Sequence, residues 1–302
     1  MNATSLHYLP GNKNEAQKLG QSLALPVYEI SVHKFPDGES RVRVNPVQDV
    51  VILYATLNSP NEKLVHLALA ASAFRKCGVR RLILVAPYLC YMRQDKAFVP
   101  GEAISQQVIG EDLSTYFDRI ITVDPHLHRT PDLQQIFPGC KADALSSTGA
   151  IAATLLQEEG RENLILVGPD SESVQWVGTI AKSLGVPFYI GDKKRSGDRS
   201  VSINFSDFDE MPDVDELHDK RIIIIDDVIS SGMTICRCVE ALKRVGANTI
   251  EVITVHILCS DDDIKMMKEV GVSRIRSTDS IKHPTNAISL TPILTEALNQ
   301  EI

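Results

Sequence analysis

Apolar runs and amphipathic stretches alternate along this chain in a regular order. Continuous aliphatic or β-branched runs at 50–55, 81–86, 119–123, 163–167, 221–225 and 249–255 have the form of strands buried on both faces. Between them, 61–77, 104–116, 148–159, 173–184 and 235–244 have the composition of helices. Strand and helix in alternation predict an α/β protein with mostly parallel sheets covered on both faces. Before residue 50, the segments 27–32 and 41–44 flank Pro36, Asp37 and Gly38 and predict a hairpin-bearing extension. The last stretch, SLTPILTEALNQEI, predicts a closing amphipathic helix.

The pattern also repeats. KCGVRRLILVAPY at 76–88 resembles EEGRENLILVGPD at 158–170, and IITVDPH at 120–126 resembles IIIIDDV at 222–228. Each pair joins a strand to a polar turn at its carboxyl end, where open α/β sheets place ligands. Two similar domains follow, 1–145 and 146–302, although the common grammar of α/β chains can also produce such an echo. The second half carries an excess of about twenty residues around GDKKRSGDRS, which predicts a loop over the site.

Length, 302 residues, suits two domains with their own cores, and 43% hydrophobic residues with mixed charge suit a globular protein. The formal charge of −8 weighs against a nucleic-acid groove, so an anionic ligand has to be held by a local basic site. The first residues carry neither an apolar core nor a basic leader, and no apolar stretch approaches a membrane span. A cytoplasmic protein is expected. The six cysteines lack CxxC spacing and read as reduced buried thiols.

Chemistry enters at RIIIIDDVISSGMTI, 221–235. Four isoleucines run into Asp226 and Asp227, then into Ser230, Ser231, Gly232, Met233 and Thr234. A buried strand followed by a small-residue turn and a helix start offers N–H donors to a phosphate, with carboxylates beside it for hydroxyls or a metal. GxxxxGK[ST] and GxGxxG are both absent. Arg93 and Gln94, with Asp95 and Lys96, follow the run at 81–86 and suit polyphosphate oxygens, or form a solvated loop. Asp124, His126 and His128 stand at another strand end and suit a divalent ion or a plain turn. Asp170 precedes hydroxyls and a helix start, as an anion or metal corner or as an N-cap. Lys193, Lys194, Arg195 and Arg199 form a basic run fit to close over a transferring phosphoryl group, or to sit in solvent.

In their order along the chain, KFPDGES, RQDK, PGEAIS, VDPH, PD, DKKR and DDVISSG resemble the ribose-phosphate diphosphokinases, or phosphoribosyl diphosphate (PRPP) synthetases. The resemblance covers nearly the whole chain. It implies two type I phosphoribosyltransferase-like domains, the second carrying the ribose-phosphate loop, and transfer of a diphosphoryl group from MgATP to ribose 5-phosphate, giving PRPP and AMP. By that resemblance Ser230, Ser231, Gly232, Met233 and Thr234 hold the 5-phosphate, and Asp226 and Asp227 the ribose hydroxyls. Asp170 and His126 match magnesium and diphosphate positions, Arg93 and Gln94 match ATP contacts, and Phe35, Asp37 and Glu39 match an adenine loop that reaches a neighbouring subunit. Lys193 and Arg195 match the basic pair of the catalytic loop. The resemblance therefore implies Mg2+, ATP and ribose 5-phosphate, and a homo-oligomer.

The chain departs from the family's pattern at Ser171-Glu172-Ser173, where glycines are common, at Met233, and after His126. Two alternatives stand beside an active synthetase. One is a silent regulatory subunit, disfavoured by retention of Lys193, Arg195, Arg93 and His126. The other is a phosphoribosyltransferase, disfavoured by FPDGE and RQDK.

Overall fold

Val50–Tyr54, Arg119–Val123 and Leu164–Gly168 are buried at every position, so these strands are sealed on both faces and tolerate few exposed polar side chains. The computed structural model describes residues 3–127, 129, 130, 132–195, 201–204 and 217–302, with 192–195 and 201–204 as backbone alone. The chain forms two units, one of residues 1–146 with 280–282 and 290–302, the other of 147–279 with 283–289.

The first unit runs β1 (Thr4–Tyr8), α1 (Lys13–Ser22), β2 (Val27–Glu29), β3 (Ser31–Lys34), β4 (Ser40–Arg43), β5 (Val50–Tyr54), α2 (Pro60–Lys76), β6 (Arg81–Val85), α3 (Ser105–Tyr116), β7 (Arg119–Val123) and β8 (Lys141–Leu145). Its six-stranded sheet has the order β2-β1-β5-β6-β7-β8, parallel throughout. β3 and β4 form a separate antiparallel hairpin. The segment 27–32 is thus two elements, because Val27–Glu29 joins the main sheet and the hairpin starts at Ser31. Phe74, Leu84, Phe117 and Phe137 are among the buried side chains of this core.

The second unit contains α4 (Thr148–Leu156), β9 (Leu164–Gly168), α5 (Val174–Leu184), β10 (Phe188–Ile190), β11 (Asp192–Arg195), β12 (Val201–Asn204), β13 (Arg221–Ile229), α6 (Met233–Arg244), β14 (Thr249–Ile257), α7 (Asp261–Val270), β15 (Val272–Thr278) and β16 (Asn286–Ile288). Its sheet runs β10-β9-β13-β14-β15-β16, again all parallel, and β11 pairs antiparallel with β12. Ile222, Ile224, Val239, Leu242, Val252 and Met267 pack its core. The closing helix α8 (Thr291–Leu298) belongs to the first unit, where Thr295 Oγ1 donates to Ser22 Oγ at 2.9 Å. The expected division ran the second domain to residue 302.

Each sheet, counted in its own chain order, is arranged 2-1-3-4-5-6. The strand order reverses between the first and third strands, at β1/β5 and at β9/β13, and such crevices are where ligands sit beyond the carboxyl ends. This symmetry does not follow the sequence echo. The echo matched β6 with β9 and β7 with β13, whereas the sheet order makes β1 the counterpart of β9 and β5 the counterpart of β13. The two hairpins are counterparts as well, each following the edge strand and preceding the third strand of its sheet.

Candidate active site

β13 runs through Asp226 and Asp227 to Ile229, four residues further than the apolar run alone indicates. Pairing carries it on, with Asp226 opposite Thr254 and Ile229 opposite Ile257. Ile229 O accepts from Leu258 N–H at 2.8 Å, which holds the strand end in the sheet. The turn is therefore only Ser230, Ser231 and Gly232, and α6 starts at Met233. Met233 and Thr234 lie in the first helical turn, so the segment presents a short loop and a helix N-terminus together. Gly232 has φ +69°, and a Cβ there would lie 2.9 Å from Met267 Sδ, so both conformation and space call for glycine. Met233 is exposed, so its bulk is accommodated in solvent at the helix start.

Asp170 stands beyond β9, the neighbour of β13. Its carboxylate accepts the Glu172 N–H at 3.2 Å, and its carbonyl accepts the Ser173 hydroxyl at 2.5 Å. Asp170 is thus the N-cap of the short 3-10 turn Ser171–Ser173 that leads into α5. Glu172 itself is exposed. Burial, then the charges of Asp227 and Asp170, push the Asp226 carboxyl well above the usual carboxylate range. Asp227 and Asp170 therefore stand close enough to oppose the ionisation of Asp226. Asp227, 7% exposed, has one oxygen on the Val228 N–H at 2.7 Å, while its own N–H donates to Asp226 Oδ1 at 3.0 Å.

In the first unit Arg93 and Gln94 lie in the loop after β6, and His126 in the turn after β7, the adjacent strand. Arg93 is exposed, while Gln94 and His126 are half-buried. Arg129 Nη1 reaches both oxygens of Asp95 at 2.9 Å and so joins the two loops. Gln106, buried near the start of α3, donates to Met92 O at 3.2 Å and accepts from Thr130 Oγ1 at 3.3 Å. Asp124 has φ +35°, a left-handed conformation at the β7 exit. Phe35, Asp37 and Glu39 form the tip of the β3–β4 hairpin, closed by Phe35 N–H to Glu39 O at 2.8 Å and Glu39 N–H to Asp37 Oδ1 at 3.1 Å. The hairpin's polar contacts run to α2, through Lys34 to Glu62 and Ser40 to His66. Lys193 and Arg195 lie on β11, opposite Ile203 and Val201, and their side chains are outside the described residues, as is His128.

The N-terminal domain of ribose phosphate pyrophosphokinase matches residues 5–116, and the phosphoribosyl transferase domain matches 143–288. A ribose-phosphate pyrophosphokinase of Saccharolobus solfataricus is 30% identical over 270 residues, covering 88% of this chain and 89% of that one. The chain belongs to the ribose-phosphate pyrophosphokinase family. A ribose-phosphate pyrophosphokinase of Methanopyrus kandleri is 28% identical over 291 residues, covering 94% of this chain and 96% of that one. The crystal structure of phosphoribosylpyrophosphate synthetase from Mycobacterium smegmatis superposes with a TM-score of 0.82 at 23% identity, over 99% and 98% of the two chains, and shows the same fold.

The ribose-phosphate pyrophosphokinase resemblance implies magnesium, and the donor set fits it in kind. Asp170, Asp226 and Asp227 offer hard oxygen donors, and a divalent cation beside them would relieve the repulsion that Asp227 and Asp170 exert on Asp226. Among the described residues no group of three or more His, Cys, Asp or Glu is arranged to hold a metal ion. A single carboxylate such as Asp170, completed by water and substrate phosphate oxygens, is the usual way magnesium is held. Sequence reasoning missed two residues that tie these loops together, Gln106 and Arg129. For Arg129 a signal existed, since it lies in the stretch after His126 that departs from the family's pattern; an amide near a helix start gave none.

Proposed function

We propose that this chain is a ribose-phosphate diphosphokinase that transfers the diphosphoryl group of ATP to the C1 hydroxyl of ribose 5-phosphate, giving PRPP and AMP. The observation that carries this reading is the exit of β13. A half-buried and a buried aspartate precede a three-residue turn and a helix N-terminus, beside Asp170 at the reversal point of the sheet. The α6 N-terminus and the turn Ser230–Gly232 accept the 5-phosphate. Asp226 and Asp227 take the ribose hydroxyls, which donate to carboxylate oxygens. Arg93 and Gln94 hold the ATP phosphates, and Phe35, Asp37 and Glu39 of a neighbouring copy the adenine, in a homo-oligomer.

By the resemblance Asp170 and His126 are the residues that would hold magnesium and the diphosphate, and the metal would neutralise phosphate charge. Attack of a sugar hydroxyl with AMP leaving requires alignment and charge neutralisation more than a covalent nucleophile. Lys193 and Arg195 stabilise the charge that develops on the transferred group. Phosphorus NMR with ribose 5-phosphate and MgATP tests the reading, and AMP and PRPP appear in equal amounts if it holds. Intact ATP, with nucleotide binding still seen by calorimetry, replaces it with a silent regulatory role.

A further inference from the structure

The second unit's candidate site is assembled from the exits of β9 and β13, the start of α6 and the hairpin β11–β12. The first unit repeats these parts in the same strand order, as the exits of β1 and β5, the start of α2 and the hairpin β3–β4. A cavity of about 670 Å³ lies there, within the size range of small-molecule sites. Its wall is largely apolar, from Leu9 and Pro10 beyond β1 and Val32 of the hairpin. Asn12, 3% exposed, accepts the Thr56 N–H at 2.8 Å on Oδ1 and so ties the two strand exits together.

The polar side of the cavity is rich in donors and carries one cation not paired with an acid among the described residues, Lys63. α2 begins with Ser59 in a left-handed conformation, φ 49°, and with Pro60, and no side chain caps it. The N–H groups of its first turn have no acceptor within the helix. Lys63 lies in that turn, half-buried, and donates to Thr56 O at 2.8 Å and Asn58 Oδ1 at 2.7 Å. These use two of its three protons. Burial lowers its pKa, so the ammonium is short of solvation and gains from an anion. Lys34 and His66 also line the cavity. Glu62, the one acid of the lining, is paired with Lys34 at 2.5 Å and is largely exposed.

We propose that this cavity is a second binding site, for a phosphate monoester with a flat apolar body. The phosphoryl group sits at the start of α2 beside Lys63, and the body lies on Leu9, Pro10 and Val32. The site stands on the first unit's own geometry and is independent of the reaction assigned to the chain. Amide hydrogen exchange of the full-length protein tests it, with phenyl phosphate and inorganic phosphate as probes. Phenyl phosphate is expected to slow exchange in segment 59–66 roughly fivefold or more, at about one tenth of the concentration that inorganic phosphate needs. The effect is expected to persist in Ser231→Glu, which obstructs the phosphate turn of the second unit, and to vanish in Lys63→Met. Unchanged exchange of 59–66 in the wild type at millimolar phenyl phosphate overturns the proposal whether or not Lys63→Met folds. Equal potency of the two probes, or loss of protection in Ser231→Glu, overturns it as well.

Discussion

Asp226 illustrates how a site residue is held against its own preference. Burial and the neighbouring Asp227 and Asp170 raise its pKa well above 3.8, the value of a free aspartate. The folded state therefore binds this proton more tightly than the unfolded chain does. Stability falls as pH rises from 3.8 through the folded pKa, and the full penalty is present above that window. Asp226→Asn is expected to raise the melting temperature at neutral pH, to leave it unchanged below pH 3.8, and to lower kcat/KM for ribose 5-phosphate by roughly 100-fold or more. Thermal melts at the two pH values check the sign. An Asn variant less stable than wild type at neutral pH would mean that the carboxylate is a net structural asset. At Lys193 the expectation is kinetic: Lys193→Ala lowers turnover far more than ribose 5-phosphate affinity, and comparable losses in both contradict its role in the transition state.

Among the elements, the strands with unbroken apolar runs were legible, and those with polar interiors were not. β1, TSLHY, is buried at all five positions, but Thr4, Ser5 and His7 disguise it, and inside the core Ser5 Oγ meets His7 Nε2 at 3.1 Å. In β15 the buried Arg276, Ser277 and Thr278 break the pattern in the same way, and their partners come from outside the strand, Glu251 and Val255 of β14 and Thr285 before β16. Hydropathy registers the cost of burying a polar group but not the bond that offsets it. The repeat was legible as a kind of architecture and illegible in register, because LILV followed by a polar turn suits any central parallel strand. The DDVISSG site was readable for the opposite reason, since strand exit, turn and helix start are consecutive in the chain. The clamp between the loops after β6 and β7 is not consecutive and surfaced only in three dimensions. Arg129→Met leaves the Asp95 carboxylate, 4% exposed, without its cation. It is expected to raise KM for ATP by about tenfold, from a loss of ~1–2 kcal/mol, with KM for ribose 5-phosphate unchanged. Equal rises in both constants would show that the clamp serves the fold rather than the nucleotide loop.

At the scale of the molecule, each sheet has its candidate site at the carboxyl edge and an ion network at the amino edge. In the first unit Glu301 binds Arg81 at 2.5 Å and Arg119 at 3.1 Å, and Arg119 also binds Asp143 at 2.5 Å. In the second, Glu251 binds Arg221 at 2.6 Å and Arg276 at 2.9 Å, and Glu158 completes the network. These networks join strands that are far apart in sequence, so no local pattern announces them. The first also explains why the chain's last segment belongs to the first unit, since Glu301 supplies the anion that two strand-initial arginines share. Arg119, with its side chain 5% exposed, keeps only Asp143 as an anionic partner among the described residues in Glu301→Gln. A cost of about 2–4 kcal/mol is expected, because a buried guanidinium is left partly unpaired. Urea unfolding can assign that cost to a unit. The chain has one tryptophan, Trp176, on α5 of the second unit, so its fluorescence reports that unit while far-UV circular dichroism reports both. Glu301→Gln is expected to move part of the dichroism transition to lower urea and to leave the Trp176 transition in place. If both signals move together, the two units unfold as one cooperative body; if neither moves, Asp143 alone suffices for Arg119 and the network contributes nothing to stability.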